Sequence, residues 1–295
     1  MKHITKIFLS ASLAIVAMTS CQKMDKPELG DYPVDSNPPD GPLKFYAAFD
    51  GSTTNPLMNA VDSIRALFPS DNPFTTTDGV HGKAMAGVNQ TYIKYPSFNT
   101  WAASGSISIS VWFKKDGQTK NNTGGNGPEY ILSMRAKKKS DGNDYNGNNA
   151  VGFLFLEGNN TLCAVKSMFV SPSDASNPNS DPADSWFTWE GGQSIAGLCD
   201  NQWHHMVMVY DETNSTAKLY IDGVQNPNVK TWAGHGALRL STSYIEEYRV
   251  GAGPSNSFAS DDWLAGSMKG GIDQLRLYGV ALSATEVQEL YDSKQ

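Results

Sequence analysis

From Leu43 onward the chain alternates short apolar runs with clusters of turn-forming residues. The segment "SISISVWFKK" (106–115) shows the pattern most clearly, because every second residue is apolar: Ile107, Ile109, Val111 and Phe113. A period of two is typical of a strand with one buried face. Many such runs and only one convincing helix predict an all-β, two-sheet antiparallel sandwich or jelly roll with one short C-terminal helix.

The segment "WHHMVMVYDETNSTAKLYIDGVQ" (203–225) predicts a β-meander. Its two apolar runs, Met206–Tyr210 and Ala217–Ile221, flank a polar loop. Asp222 and Gly223 follow the second run, and both residue types tolerate the positive φ of a tight reversal. This segment therefore adds neighbouring antiparallel strands to the predicted sandwich.

The C-terminal segment "GGIDQLRLYGVALSATEVQELY" (270–291) joins one apolar strand to the helix. Ser283 and Glu286 have the spacing of a capping box, which starts a helix that we expect to run through Tyr291. Val287, Leu290 and Tyr291 recur at spacings of three and four. One helix face is therefore expected to pack on the sandwich as a lid over one end of a sheet.

Three polar stretches interrupt the strand pattern, at residues 116–128, 137–149 and 171–185. We predict that all three are long loops. Binding residues are concentrated on long loops that a rigid sheet supports. These stretches are therefore the first places to search for a binding site.

The first twenty residues predict a secretory signal. Lys2 and Lys6 precede an apolar run, 7–18, that is too short to span a bilayer. The run ends in "MTSC", which resembles the lipobox of bacterial lipoproteins and implies a diacylated Cys21 as the mature N-terminus. The alternative is an ordinary signal peptide with a cysteine at this position. We expect a lipoprotein signal at 1–20.

Residues 21–42 predict a flexible tether and residues 43–295 one jelly-roll domain. The tether is rich in Pro, Asp and Gly and has no apolar period. Gln22 follows Cys21, where Asp would favour inner-membrane retention in some bacteria, so we expect outer-membrane delivery. The facing side, cell surface or periplasm, stays open. Contact with the membrane is expected through the N-terminal lipid alone.

Cys163 and Cys199 are the two cysteines that remain. Exported proteins fold in a compartment that permits disulfides, which favours a bridge between them. The alternative is a pair of separate buried thiols. The chain has no spacing typical of a zinc site.

The charge balance argues against nucleic acid as a partner. The chain has 23 basic and 30 acidic residues, and loss of Lys2 and Lys6 with the signal leaves 21 against 30, a net charge of −9. The single basic run, "RAKKKS" at 135–140, is interpreted as part of a solvated loop.

Several motifs together resemble the laminin-G-like, concanavalin A-like jelly-roll domain of exported bacterial proteins. They are "SISISVWFKK", "YILSM", the 203–225 segment, "YRVGAG" and the 270–291 segment, with "LKFYAAFDGS" similar to the opening strand. The resemblance extends over about residues 43–292. It implies two curved antiparallel sheets packed face to face, with the first and last strands adjacent.

The resemblance also implies a structural calcium ion where the terminal strands meet. The matching residues are Asp273 in the last strand and Asp50 near the first. Two carboxylates with backbone carbonyls and water are adequate calcium ligands. The alternative is that Asp273 accepts backbone hydrogen bonds or pairs with Arg276 or Arg249.

Catalytic motifs are missing from the sequence. His204 and His205 are adjacent in a strand, so they point to opposite faces and cannot chelate one metal together. Related glucanases carry an E-x-D-x-x-E strand, and this chain has none. There is also no nucleophile elbow, phosphate loop or zinc-protease motif. We therefore do not expect an enzyme.

Four tryptophans in polar surroundings are the candidate carbohydrate-binding residues: Trp186, Trp189, Trp232 and Trp263. An aromatic ring stacks on the apolar face of a sugar, while Asp, Asn and Gln bind its hydroxyls. The alternative is that each ring plugs an open end of the sandwich.

The expected function is a lipid-anchored, non-catalytic polysaccharide-binding protein of the cell envelope, associated with glycan-uptake proteins. A protein-binding adhesive module and a divergent glycoside hydrolase or polysaccharide lyase are the alternatives.

Overall fold

A computed structural model describes residues 41–51, 57–61, 75–87, 90–117, 127–159, 161–174, 177–257 and 262–294. The expected signal at 1–20, the lipidated Cys21 and all but the last two residues of the tether lie outside these ranges. Within the described ranges, no helix has the length and apolar character needed to cross a bilayer.

In the residues that the structure describes, sixteen strands and one α-helix form the fold. They are β1 (Leu43–Ala47), β2 (Thr75–Asp78), β3 (Lys83–Ala86), β4 (Ile93–Tyr95), β5 (Ile107–Asp116), β6 (Glu129–Ala136), β7 (Ala150–Gly158), β8 (Leu162–Asp174), β9 (Asn177–Trp189), β10 (Ile195–Ala196), β11 (Asp200–Asp211), β12 (Thr216–Ile221), β13 (Val224–Gln225), β14 (Lys230–Thr231), β15 (Ile245–Val250), β16 (Gly271–Tyr278) and α1 (Ala284–Ser293).

The strands form two antiparallel sheets, as the sequence predicts. The nine-stranded sheet, here sheet A, has the order β13-β12-β11-β5-β16-β3-β2, with β1 paired to β16 and β14 to β12. The seven-stranded sheet, here sheet B, has the order β10-β8-β7-β6-β15-β4, with β9 paired to β8. The jelly-roll sandwich is confirmed.

The core lies between the inner faces of the two sheets. The alternating apolar residues of β5 are all fully buried in it, and Leu132, Leu154 and Val165 belong to the same cluster from sheet B. A fully buried side chain of this kind stabilises the fold by about 1.5–3 kcal/mol relative to an exposed one. The opposite, outer faces of the sheets are left to carry other contacts.

The first and last strands pair, as the sequence resemblance implies. β1 runs antiparallel to β16, with Phe45 opposite Leu277 and Ala47 opposite Leu275. On its other side β16 pairs with β5. The two ends of the domain are thus joined within sheet A.

Helix α1 covers part of the outer face of sheet A. The Ser283 hydroxyl accepts a hydrogen bond from the Glu286 amide, and the Glu286 carboxylate accepts from the Ser283 amide, which confirms the capping box. Val287 packs against Val207 of β11. Tyr291 stacks on Trp112 at 5.6 Å between ring centroids.

The third predicted loop is wrong, because residues 171–185 form the ends of two paired strands. β8 continues to Asp174, and β9 begins at Asn177. Proline and aspartate suggested a loop, but β9 pairs only with β8 and is an edge strand, where proline is tolerated. The correction moves Trp186 and Trp189 from a loop into a strand.

Candidate functional site

Strand β9 places Trp186 and Trp189 on opposite faces of sheet B. Phe187 and Trp189 are fully buried in the core, whereas Trp186 is 39% exposed on the outer face. The indole nitrogen of Trp189 donates to the Asn228 carbonyl at 2.6 Å. The prediction that Trp189 offers an exposed ring is therefore wrong. Trp186 and Trp189 are three residues apart, and side chains at an odd spacing in a strand point to opposite faces of the sheet.

Trp263 reaches the same outer face from a different part of the chain. Residues 253–255 and 264–266 are paired by hydrogen bonds from Gly253 to Gly266 and from Ser255 to Leu264. The Arg249 guanidinium donates to the Gly253 and Ser255 carbonyls, both at 2.8 Å, and fixes this paired segment on the sheet.

A short 3-10 turn presents the Trp263 ring. The turn extends over Trp263–Ala265, and the Asp262 carboxylate caps it by accepting from the Leu264 amide at 3.1 Å. Trp263 is 38% exposed. The capped turn, rather than a flexible loop, sets the position of this indole.

Trp186 and Trp263 form an aromatic surface, here called the tryptophan platform. Their ring centroids lie 6.1 Å apart with an interplanar angle of 43°. Phe153 of β7 lies beneath both, at 5.3 Å from Trp186 and 5.8 Å from Trp263. Phe155 adds a second ring at 5.9 Å from Trp263. Two exposed indoles thus rest on a rigid phenylalanine floor.

An ion triad borders the platform. The Lys166 ammonium lies 2.7 Å from a Glu157 oxygen and 2.6 Å from a Glu190 oxygen. Burial opposes the charge on Lys166, but the two carboxylates outweigh it and raise the pKa of its ammonium. The hydrogen bond from Lys166 lowers the pKa of Glu190. Both shifts favour the charged forms of Lys166 and Glu190.

The floor and the triad were missed at the sequence level, although part of the signal is readable. In "GFLFLEG", Phe153, Phe155 and Glu157 recur at every second position and so share one face of β7. Lys166 joins them because it lies opposite Phe155 in the sheet register. That register is a property of the fold and cannot be read from spacing.

Trp232 is separate from the platform. It is half-buried and stacks on His235 with 3.5 Å between ring centroids and an interplanar angle of 3°. His235 in turn contacts the Ser171 hydroxyl at 3.2 Å. Of the four predicted tryptophans, the structure brings together Trp186 and Trp263 and leaves Trp189 and Trp232 elsewhere.

A sequence model of the concanavalin A-like lectin/glucanases superfamily matches residues 87–288, which is more than half of the chain. The chain belongs to this superfamily. Comparison with curated protein sequences gave no match.

Solved structures share the superfamily jelly roll at low sequence identity. Domain 4 of AbnA, an extracellular GH43 arabinanase of Geobacillus stearothermophilus solved with arabinotriose, has a TM-score of 0.52 and 19% identity, covering 84% of this chain and 98% of that one. The binding domain of Paraclostridial Mosquitocidal Protein 1 has a TM-score of 0.54 and 12% identity, covering 85% and 52%. The botulinum neurotoxin DC binding domain solved with SialylT has a TM-score of 0.51 and 12% identity, covering 86% of this chain and 52% of that one. The chain spans about half of each toxin chain.

The calcium site that the superfamily resemblance implies can be tested against Asp273. Its Oδ2 accepts from the Val80 amide at 2.7 Å and the His81 amide at 3.4 Å. Its Oδ1 is buried and has no hydrogen-bond partner. Burial raises the pKa of Asp273 to about 7, and the Asp50 charge adds to the rise. The alternative expected for Asp273, that it accepts backbone hydrogen bonds, therefore holds for Oδ2 and not for Oδ1.

Asp50 lies on the other side of the same loop. Its Oδ1 accepts from the Lys83 amide at 2.8 Å. The loop lies close against both carboxylates. A Cβ added at Gly79 would lie 2.4 Å from Asp273 Oδ2, and a Cβ added at Gly82 would lie 2.1 Å from Asp50 Oδ1. Among the described residues, no three acidic, His or Cys side chains converge on a metal site. The two carboxylates fit a cation that backbone oxygens and water would complete.

His204 and His205 have the separate structural roles expected of them. The His204 ring lies between two carboxylates, 2.8 Å from Asp222 and 3.1 Å from Asp200. On the opposite face, His205 contacts the Ser110 hydroxyl at 2.9 Å, and burial lowers its pKa to about 4.

Cys163 and Cys199 are both buried free thiols in the structure. The Cys163 thiol donates to the Ala164 carbonyl at 3.5 Å, and the Cys199 thiol lies 4.0 Å from the Leu162 carbonyl. The interaction between the two thiols, together with burial, raises the pKa of Cys163, and the same interaction lowers the pKa of Cys199 against the effect of burial. The two thiols therefore interact without a covalent bond in this structure, and the expected disulfide stays a prediction.

Proposed function

We propose that this domain binds carbohydrate without catalysis, and that the tryptophan platform is its binding surface. The observation that carries the proposal is the convergence of Trp186 and Trp263, from β9 and from a turn more than 70 residues later, on one exposed aromatic surface. Large exposed aromatic groups that share one surface are a recurring mark of binding sites.

The chemistry of the platform suits a saccharide. The indole faces stack on the apolar C–H face of a sugar ring. Glu157, Glu190 and Asp262 are hydrogen-bond acceptors, and the Lys166 ammonium is a donor, so the border can bind hydroxyls in both directions. An open surface of this kind suits a segment inside a long glycan chain.

The ion triad supports a non-catalytic role. Retaining glycoside hydrolysis needs two carboxyls about 5–5.5 Å apart, one of them a general acid with a raised pKa. Glu157 and Glu190 both contact Lys166, and the pKa of Glu190 is lowered instead. Glu190 is therefore unsuited to protonate a leaving group at neutral pH.

Two of the solved neighbours support the ligand class. The AbnA domain was solved with arabinotriose, and the botulinum neurotoxin DC domain with SialylT. Because the identities are low, they support a carbohydrate and do not select one.

We further propose that the domain works on the outer membrane. The signal-like segment at 1–20 and the lipobox-like Cys21 support a lipid anchor, and residues 21–42 supply a spacer. A tethered glycan-binding domain would hold polysaccharide near glycan-uptake proteins. Acyl labelling of the wild type that is lost in Cys21→Ser tests the anchor, and an unlabelled wild type would contradict it.

The function is tested by affinity electrophoresis and calorimetry against a panel of soluble polysaccharides. We expect at least one to bind, with about tenfold loss in Trp186→Ala or Trp263→Ala, corresponding to about 1.4 kcal/mol each. Trp232→Ala is the matched control and should bind as wild type.

Other outcomes would overturn the proposal. Release of reducing ends or unsaturated sugars would make the chain an enzyme. Binding to a protein ligand alone, with every glycan inert, would favour an adhesive module.

A further inference from the structure

The outer face of sheet A contains a recess of about 470 Å³ that none of the features above uses. It lies beside Lys114 of β5, two residues beyond Trp112, where α1 ends its contact with the sheet. A volume in this range is typical of small-molecule sites.

Several small residues line the recess, among them Ala86, Gly87, Gly270 and Gly271. Ala86, Gly271 and Lys114 lie opposite one another on β3, β16 and β5, and Trp203 of β11 continues the same row. A Cβ at Gly271 would lie 2.5 Å from Cη2 of Trp203, so the indole extends across β5 to the glycine. The Trp203 ring therefore borders the recess at Gly271.

Two lysines line the recess from different strands and loops, Lys114 and Lys269. The Lys114 ammonium lies 5.6 Å from the centroid of the Trp203 ring. Asp116 and Asn201 complete the polar lining with a carboxylate and an amide. The recess thus offers ammonium donors, oxygen acceptors and an aromatic face together.

Glu129 also lines the recess, but its charge is already compensated. One oxygen contacts the buried Lys115 ammonium in an ion pair between the two sheets. The other accepts from the Lys269 amide at 3.0 Å and the Gly270 amide at 3.3 Å. With Lys115 included, the recess and its border carry three ammonium groups, on Lys114, Lys115 and Lys269, against two carboxylates, on Glu129 and Asp116, a local positive charge in a chain of net charge −7.

We infer that this recess is a second saccharide site and that it binds an acidic sugar, with the sugar carboxylate held by Lys114 and Lys269. Hydroxyls of the same sugar would meet Asp116 and Asn201, and its ring would lie against Trp203. Desolvation lowers the pKa of Lys269, the Glu129 charge opposes this and the Lys115 charge adds to it, and a bound carboxylate would act in the same direction as Glu129. The site is independent of the tryptophan platform, whose border is acidic.

The test titrates the protein with trigalacturonate and with its fully methyl-esterified form, in which neutral methyl esters replace the charged carboxylates. We expect the acid to bind at least tenfold more tightly than the ester, with affinity falling as salt rises. Lys114→Gln should weaken acid binding about tenfold, as expected for a charged hydrogen bond. Lys114→Arg should retain most of it.

Two controls separate this site from the others. Lys138→Gln removes the same charge from an exposed loop and should leave the affinity unchanged. Trp186→Ala should also leave acid binding unchanged, so failure of the platform proposal would not affect this one. Unfolding curves confirm that each variant is folded.

Four results would overturn the inference. They are equal affinity for acid and ester, unchanged binding by Lys114→Gln, loss of acid binding in Trp186→Ala, and no binding of the acid at millimolar concentration. Displacement of the acid by acetate at equal concentration would also overturn it, since the recess would then be a general anion site.

Discussion

The outer faces of the two sheets differ in what covers them and in charge. On sheet B the β9 edge and the paired residues 253–255 and 264–266 leave two indoles open to solvent, bordered by acids. On sheet A, α1 covers one end, and the exposed part is a recess with two lysines. Similar strand alternation thus builds an acidic aromatic surface on one side and a cationic recess on the other.

The comparison shows where function can be placed in this fold. Inward positions of both sheets are committed to one shared core. Outward side chains do not fill the core, so they can differ between the two sheets. Helix α1 lies on the outer face of sheet A, and residues 253–255 and 264–266 lie on that of sheet B. The two faces are therefore expected to respond independently to mutation, except where an interaction crosses the sandwich.

The largest effect is expected where the two sheets are joined, at Lys115 of β5 and Glu129 of β6. Glu129→Ala leaves a fully buried ammonium without its carboxylate, which costs about 3–5 kcal/mol. Urea unfolding should show this loss. The double variant Lys115→Met/Glu129→Leu removes both charges and should recover most of it. A Glu129→Ala protein as stable as wild type would show that the faces are not coupled here.

The next largest effect concerns Cys163 and Cys199, at one end of sheet B. If the exported protein forms the bridge, reduction should lower the free energy of unfolding by about 3–4 kcal/mol on the chain-entropy model. Cys163→Ser and Cys199→Ser should reproduce the loss and become insensitive to reductant. Two titratable thiols in the protein purified from its native compartment would contradict the bridge.

A smaller effect is expected from the carboxylates of sheet A. If calcium binds between Asp50 and Asp273, excess chelator should lower the free energy of unfolding by about 2–3 kcal/mol, as for a ligand near a hundred times its Kd. Asp273→Ala should lower the melting temperature and abolish the chelator response. Asp78→Asn, at an exposed ion pair, is the control. An identical melt with and without chelator would argue against the ion.

The smallest effect is expected beneath the platform. Tyr130 is fully buried, with its ring 5.0 Å from that of Phe155, and its hydroxyl has no hydrogen-bond partner. Tyr130→Phe removes an uncompensated polar group, so stability should change by less than about 1 kcal/mol, toward greater stability. A loss above 2 kcal/mol would show that the hydroxyl has a structural role.

The sequence predicts the scaffold better than the site, for a physical reason. The alternation in β5, the capping box at Ser283 and the pairing of terminal strands depend on local pattern or on the family resemblance, and all are confirmed. The prediction for Trp189 was wrong because proline and aspartate made an edge strand resemble a loop in the sequence. Trp263, Lys166 and the recess depend on cross-strand register and on a segment folded over the sheet, which no local period encodes.

Indole N–H signals in a nitrogen-15 NMR spectrum test the central claim most directly, because each of the seven tryptophans reports its own site. With a polysaccharide that binds the tryptophan platform, we expect the Trp186 and Trp263 signals to shift together. The signals of Trp101, Trp189 and Trp232 should not move. Shifts at Trp232 with an unchanged Trp186–Trp263 pair would contradict it.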